Sequence, residues 1–118
     1  MIKTPSGLKY QNDKNIGGAP IKIGQTIRLN YMVALSKEDL IHATNLIDSS
    51  EARDPILIKV GDGSLLQGLE EGIIGMSKGD TRIFEIPPHL AFGKRGIPGI
   101  IPENATLYVE INISTKSS

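Results

Sequence analysis

From Ile27 to Leu35 the large side chains Ile27, Leu29, Tyr31, Val33 and Leu35 alternate with Arg28, Asn30, Met32 and Ala34. A period of two sends successive side chains to opposite faces, so this stretch predicts a half-buried strand. Ile56, Ile58 and Val60, alternating with Leu57 and Lys59, predict a second strand. Arg82 to Ile86 predicts a third and Leu107 to Ile113 a fourth. A weaker strand over Leu8 to Gln11 precedes the turn-rich run Asn15-Ile16-Gly17-Gly18-Ala19-Pro20.

Helical spacing occurs only between Ser64 and Met76, where Leu65, Leu66, Leu69 and Ile73 share a face. Ser64 followed by Gln67 forms a possible capping box. Gly68 and Gly72 each weaken that helix by about 1 kcal/mol relative to alanine. The helix should therefore be short and held by packing on a sheet. The pattern predicts an α+β fold, an antiparallel β-sheet wrapped around one short α-helix. No repeat, low-complexity tract or linker divides the chain, so a single domain is expected over 1–118, with its core over about 8–113 and a frayed tail at 114–118.

Composition narrows the function. A chain of 118 residues buries about two-thirds of its unfolded surface, enough for one core without a metal or disulfide. Thirteen basic and thirteen acidic side chains cancel, with no basic run, which argues against nucleic acid. There is no cysteine, and hence no thiol nucleophile. No apolar run approaches the roughly 18 residues of a membrane span. Met1-Ile2-Lys3 is not followed by the apolar segment of a signal peptide. The expectation is a cytoplasmic monomer, exported only if a leader was removed. His42 and His89 lie far apart in sequence without a carboxylate-rich neighbourhood, so no metal or other cofactor is expected. Glu70 and Glu71 read as a solvated helix face. With no catalytic constellation among the titratable groups, the chain is expected to work through an apolar, shaped surface.

The order of motifs carries a more specific signal. Tyr31 lies on the long strand and Asp48-Ser49-Ser50 follows it. Leu65-Leu66-Gln67-Gly68-Leu69-Glu70-Glu71-Gly72 is the helix, followed by Met76-Ser77-Lys78-Gly79-Asp80 and Ile86-Pro87-Pro88. Ala91-Phe92-Gly93 and Gly96-Ile97-Pro98-Gly99-Ile100-Ile101-Pro102 form a loop that suits neither helix nor sheet. Asn104-Ala105-Thr106-Leu107 opens the last strand. This succession resembles the FK506-binding proteins, the FKBP-type peptidyl-prolyl cis-trans isomerases, in a register that runs from about Leu8 to Ile113.

The resemblance implies a cleft for proline-containing polypeptides, with FK506 or rapamycin as possible ligands. It places Tyr31 and Asp48 on a polar rim, with Arg53 as the partner of Asp48. Ile47, Ile56, Val109, Leu65 and Leu66 would line the walls, and the Leu66 N–H would donate to a bound carbonyl. Leu69 would be the floor, with Phe92, Ile97 and Ile101 coming from the overhanging loop. Tyr31, Asp48 and Phe92 are the expected catalytic set. In the family a tryptophan stands at Leu69, phenylalanines at Ile47, Ile56 and Val109, and a tyrosine at Phe92. The implied activity is therefore a reduced X–Pro isomerisation; the alternative is a binding or chaperone module without catalysis.

The segment from Ser36 to Leu46 is longer than the family's connection by roughly six residues. It reads as a tolerated insertion that bulges over the sheet edge, forms a helical turn or meets a partner.

Overall fold

The computed structural model describes residues 1–50 and 54–115. Among these, the alternating stretches become strands β1 (Ile2–Lys3), β2 (Lys9–Lys14), β3 (Thr26–Ala34), β4 (Asp48–Ser49), β5 (Ile56–Lys59), β6 (Thr81–Ile86) and β7 (Leu107–Ile113). Two short helices, α1 (Lys37–His42) and α2 (Gln67–Gly72), and a 3-10 turn over Pro88–Leu90 complete the chain. The sheet order is β1-β2-β6-β7-β3-β4, with β5 also on β3, and the pairings are antiparallel. The four main predicted strands are all present, and β1 and β4 are additions too short to show a period.

β7 is central, paired with β6 on one side and β3 on the other, and its alternation is complete: Leu107, Val109, Ile111 and Ile113 are buried, while Tyr108, Glu110 and Asn112 are only partly so. Phe84 of β6 and Val33 of β3 flank Val109 in register. The main core lies on this face. α2 covers it, and its glycines are there for packing. A Cβ on Gly68 would stand 2.7 Å from the Ile86 side chain, and one on Gly72 would enter the ring of Phe84. The low propensity that glycine brings is thus offset by close approach of helix and sheet.

α2 is shorter than the Ser64–Met76 stretch. Leu66 has φ −55° and ψ 148°, so the helix starts only at Gln67, and the N-cap carries no side-chain hydrogen bond. Ser64 lies outside the helix and the capping box does not form. Its place is taken by Glu70, described below.

The insertion supplies the second helix. Ser36 caps α1 by accepting the Asp39 N–H at 3.1 Å, and Ala43 closes it with a left-handed φ of 52°. α1 packs against β3 and β7. Leu40 and Ala34 are buried there, apart from the main core. Six residues with one buried leucine show too little periodicity to be read from sequence.

β4 and β5 share one edge of β3, opposite Met32–Val33 and Thr26–Leu29 respectively. Across the break between them, the Ser50 N–H donates to the Tyr31 carbonyl at 3.0 Å, and Oγ of Ser50 accepts the Tyr31 N–H at 2.8 Å. Tyr31 thereby keeps both backbone bonds where the edge strand leaves the sheet. At the other end of the chain, Ser114 is buried and donates its N–H to the Arg28 carbonyl at 2.8 Å, so it belongs to the packed body and not to a frayed tail.

Candidate functional site

On the core face, the sheet and α2 leave a cleft of about 290 Å³. It is lined by Leu29, Tyr31 and Val33 of β3, Ile56 of β5, Ser64, Leu65 and Leu66 of the loop before α2, Leu69 of α2, Phe92, and Val109 and Ile111 of β7. β3 and β7 put Tyr31 opposite Ile111 and Val33 opposite Val109, which aligns these side chains on one face. Leu69 is 6% exposed and Leu29, Val109 and Ile111 are 0–1% exposed, forming a closed base. Tyr31, Val33, Ile56, Leu65, Leu66 and Phe92 are half-buried and form the walls and mouth. Among the described lining residues none bears a carboxylate or a cation.

The polar groups sit at the rim. The Tyr31 hydroxyl donates to Oδ2 of Asp48 at 3.0 Å, while Oδ1 accepts the Ser49 N–H at 2.8 Å. The antiparallel pairing of Val33 with Asp48 brings these two side chains together. The Leu66 carbonyl accepts from the N–H groups of Leu69 and Glu70, each at 2.9 Å. Among the described residues nothing accepts the Leu66 N–H, which leaves a donor beside an apolar wall.

The remaining expected residues lie elsewhere. Ile47 packs on the core and donates its N–H to the Val33 carbonyl at 2.7 Å, without joining the lining. Ile97 and Ile101 exchange backbone hydrogen bonds at 2.8 Å in both directions, closing a tight turn. That turn draws Ile101 into the core at 4% exposure, with Ile97 half-buried against it, and neither lines the cleft. Arg53 is outside the described residues. Leu29, Val33, Ile111 and Ser64 were not expected in the cleft. The first three were accessible from the period of two that links them to Tyr31 and Val109; Ser64 carries no such signal.

Glu70 and Glu71 also differ from the solvated face expected of them. Glu70 accepts backbone N–H groups from Gly61 and Leu65, and Glu71 accepts the hydroxyls of Thr4 and Ser6 at 2.8 Å each. A larger hollow of about 380 Å³ on the outer face is bordered by Asn30, Met32, Ser49, Ser50, Glu110 and Asn112, together with Tyr31, which it shares with the cleft. Its polar border makes it the poorer place to desolvate a ligand. Among the described residues no group of three or more His, Asp or Glu side chains is placed to hold a metal ion. No described helix is long and apolar enough to cross a membrane.

The sequence matches the family FKBP-type peptidyl-prolyl cis-trans isomerase over residues 17–114, and the chain belongs to that family. FK506-binding protein 2 of Candida glabrata is 36% identical over 112 residues, covering 91% of this chain and 79% of that protein. FK506-binding protein 4 of Chaetomium thermophilum is 34% identical over 112 residues, covering 95% of this chain but 22% of that much longer relative. The fold is similar to the crystal structure of AtFKBP13, with a TM-score of 0.82 and 29% identity over 98% of this chain and 97% of that one. FkpA from Escherichia coli superposes with a TM-score of 0.78 at 32% identity, over 96% of this chain and 49% of that one.

Proposed function

We propose that this chain catalyses cis–trans isomerisation of X–Pro bonds in polypeptides, at a reduced rate. The observation that carries this is the charge-free cleft with its buried base of Leu69 and Val109. Rotation about a peptide bond faces a barrier of about 18–20 kcal/mol because the C–N bond has partial double-bond character. The planar amide is the more polar form, so an environment that removes water favours the twisted one. A pocket that fits a proline ring beside a twisted amide is complementary to the transition state, and neither a nucleophile nor a proton transfer is required. The Leu66 N–H donates to a carbonyl of the bound chain. Tyr31 and Asp48 form a fixed polar rim that orients it, and Phe92 packs across the mouth. X–Pro bonds are the substrate because their cis form costs only about 0.5–1 kcal/mol.

The chain acts as a monomer on proline-containing segments, and FK506 and rapamycin compete for the same cleft. Leu69 gives a softer base than an indole would, and Phe92 has no hydroxyl to donate. Each tenfold loss of rate is about 1.4 kcal/mol of transition-state stabilisation, and a loss of roughly one to three decades is expected relative to an aromatic-lined pocket. These two residues also support a second reading, a binding module that holds proline segments without turning them over.

The test is an isomerisation assay on short X–Pro peptides beside a rapamycin titration. Measurable catalysis that rapamycin suppresses supports the isomerase. Binding with rates equal to the uncatalysed reaction at high protein concentration supports the binding module. Neither binding nor turnover would sink both.

A further inference from the structure

Glu70 grips the loop ahead of it at three points. Oε2 of its carboxylate accepts the Gly61 N–H at 3.0 Å, and Oε1 accepts the Leu65 N–H at 3.0 Å. Its own N–H donates to the Leu66 carbonyl at 2.9 Å. The loop has few other ties. Val60 donates to the Gln25 carbonyl at 2.9 Å where β5 ends, and Asp62 closes a local turn by accepting the Ser64 N–H at 2.9 Å. Leu66, the N-cap, has no side-chain oxygen with which to cap α2. In a capping box the acidic residue reaches back to the cap itself; here it reaches one residue further and spans the whole loop.

This loop supplies Ser64, Leu65 and Leu66 to the cleft, and with them the available Leu66 N–H. Glu70 itself lines a different hollow, with Ile23, Gln67 and Ile74. We propose that Glu70 is a positioning residue for peptide binding: its carboxylate fixes the 61–66 loop so that Leu65 and Leu66 form the wall and the Leu66 N–H meets the bound carbonyl. Hydrogen bonds to an ionised acceptor are the stronger kind. Fixing the Leu65 N–H from one side and the Leu66 carbonyl from the other restricts the peptide plane between them. The loop is then ordered before the substrate arrives, and binding need not order it. This inference rests on the isomerase function proposed above.

The experiment compares wild type with Glu70→Ala, Glu70→Gln and Glu70→Asp, reading kcat and KM on an X–Pro peptide and hydrogen exchange of individual amides. For Glu70→Ala, KM is expected to rise about tenfold with a smaller change in kcat, as loss of a charge-assisted hydrogen bond implies. The Gly61 and Leu65 amides should exchange at least about tenfold faster, while those of β6 and β7 keep their protection. Glu70→Gln keeps one acceptor and should fall between. If the alanine variant does not fold, the glutamine and aspartate variants carry the comparison. Freed Gly61 and Leu65 amides with unchanged KM would overturn the positioning role, as would amides that ignore the substitution. A wild type that neither binds nor isomerises the peptide overturns the isomerase and this role together. That failure is recognisable because it appears without any variant.

Discussion

The Tyr31 hydroxyl donates to the Asp48 carboxylate at 3.0 Å across the edge of the sheet, joining residues on two different strands at the mouth of an apolar cleft. In the function proposed above the pair acts by geometry, setting a fixed dipole and charge where a peptide enters, with no proton transfer assigned to it. Asp48→Ala or Tyr31→Phe should lower kcat/KM by about twofold to tenfold, the value of one hydrogen bond of roughly 0.5–1.5 kcal/mol. The wild-type rate should show no acid–base bell between about pH 6 and 9. A bell in that range, with the fold intact, would assign Asp48 or a neighbour to proton transfer.

Leu69→Trp tests the base of the cleft. An indole there adds roughly 0.5–1.5 kcal/mol of aromatic contact beyond its area, so affinity for a proline peptide or rapamycin should rise about twofold to tenfold. Because Leu69 is 6% exposed, the larger ring is expected to lower stability by about 1–3 kcal/mol. The chain has no other tryptophan, so ligand binding can be read from indole fluorescence. Emission that ignores a ligand known to bind would remove Leu69 from the site.

Gly72→Ala should destabilise the protein although alanine favours helices. The gain in propensity is about 1 kcal/mol, while a methyl group driven into the buried Phe84 ring costs about 1–3 kcal/mol. A lowered melting temperature, partly recovered in Gly72→Ala with Phe84→Leu, is the expected result. A melting temperature at or above wild type would show that helix and sheet separate freely.

Glu110 gives the protein a pH dependence. It sits between Met32 and Ile83 on the outer face, and burial, with Asp13 adding like-charge repulsion, raises its pKa. The folded state then holds a proton that the unfolded state has already released. This contribution to stability is present below the ordinary carboxylate pKa and is lost as pH rises through the folded value. Glu110→Gln should raise the melting temperature at pH 7 by about 1–3 °C, with the gain vanishing at low pH. A gain of equal size at low pH would contradict the assignment.

Strands β3, β5, β6 and β7 were legible in the chain because a buried face writes a period of two into any strand that carries it. The shortness of α2 was legible too, since Gly68 and Gly72 weaken a helix that packing must then hold. Family motifs gave the order of the site, from Tyr31 to Phe92. Other features came only from the folded chain. α1 owes its six residues to cover supplied by β3 and β7, and one buried leucine leaves no periodic trace. Ile101 is apolar wherever it lies, and only the Ile97–Ile101 turn decides that it points to the core and not to the cleft. Glu70 looks like any exposed helix acid until the loop folds back and presents two N–H groups to it. Periodicity records which face of an element is buried. Which partner a polar atom or a loop side chain meets depends on distances between segments far apart in sequence, and those are set by the packing of the whole.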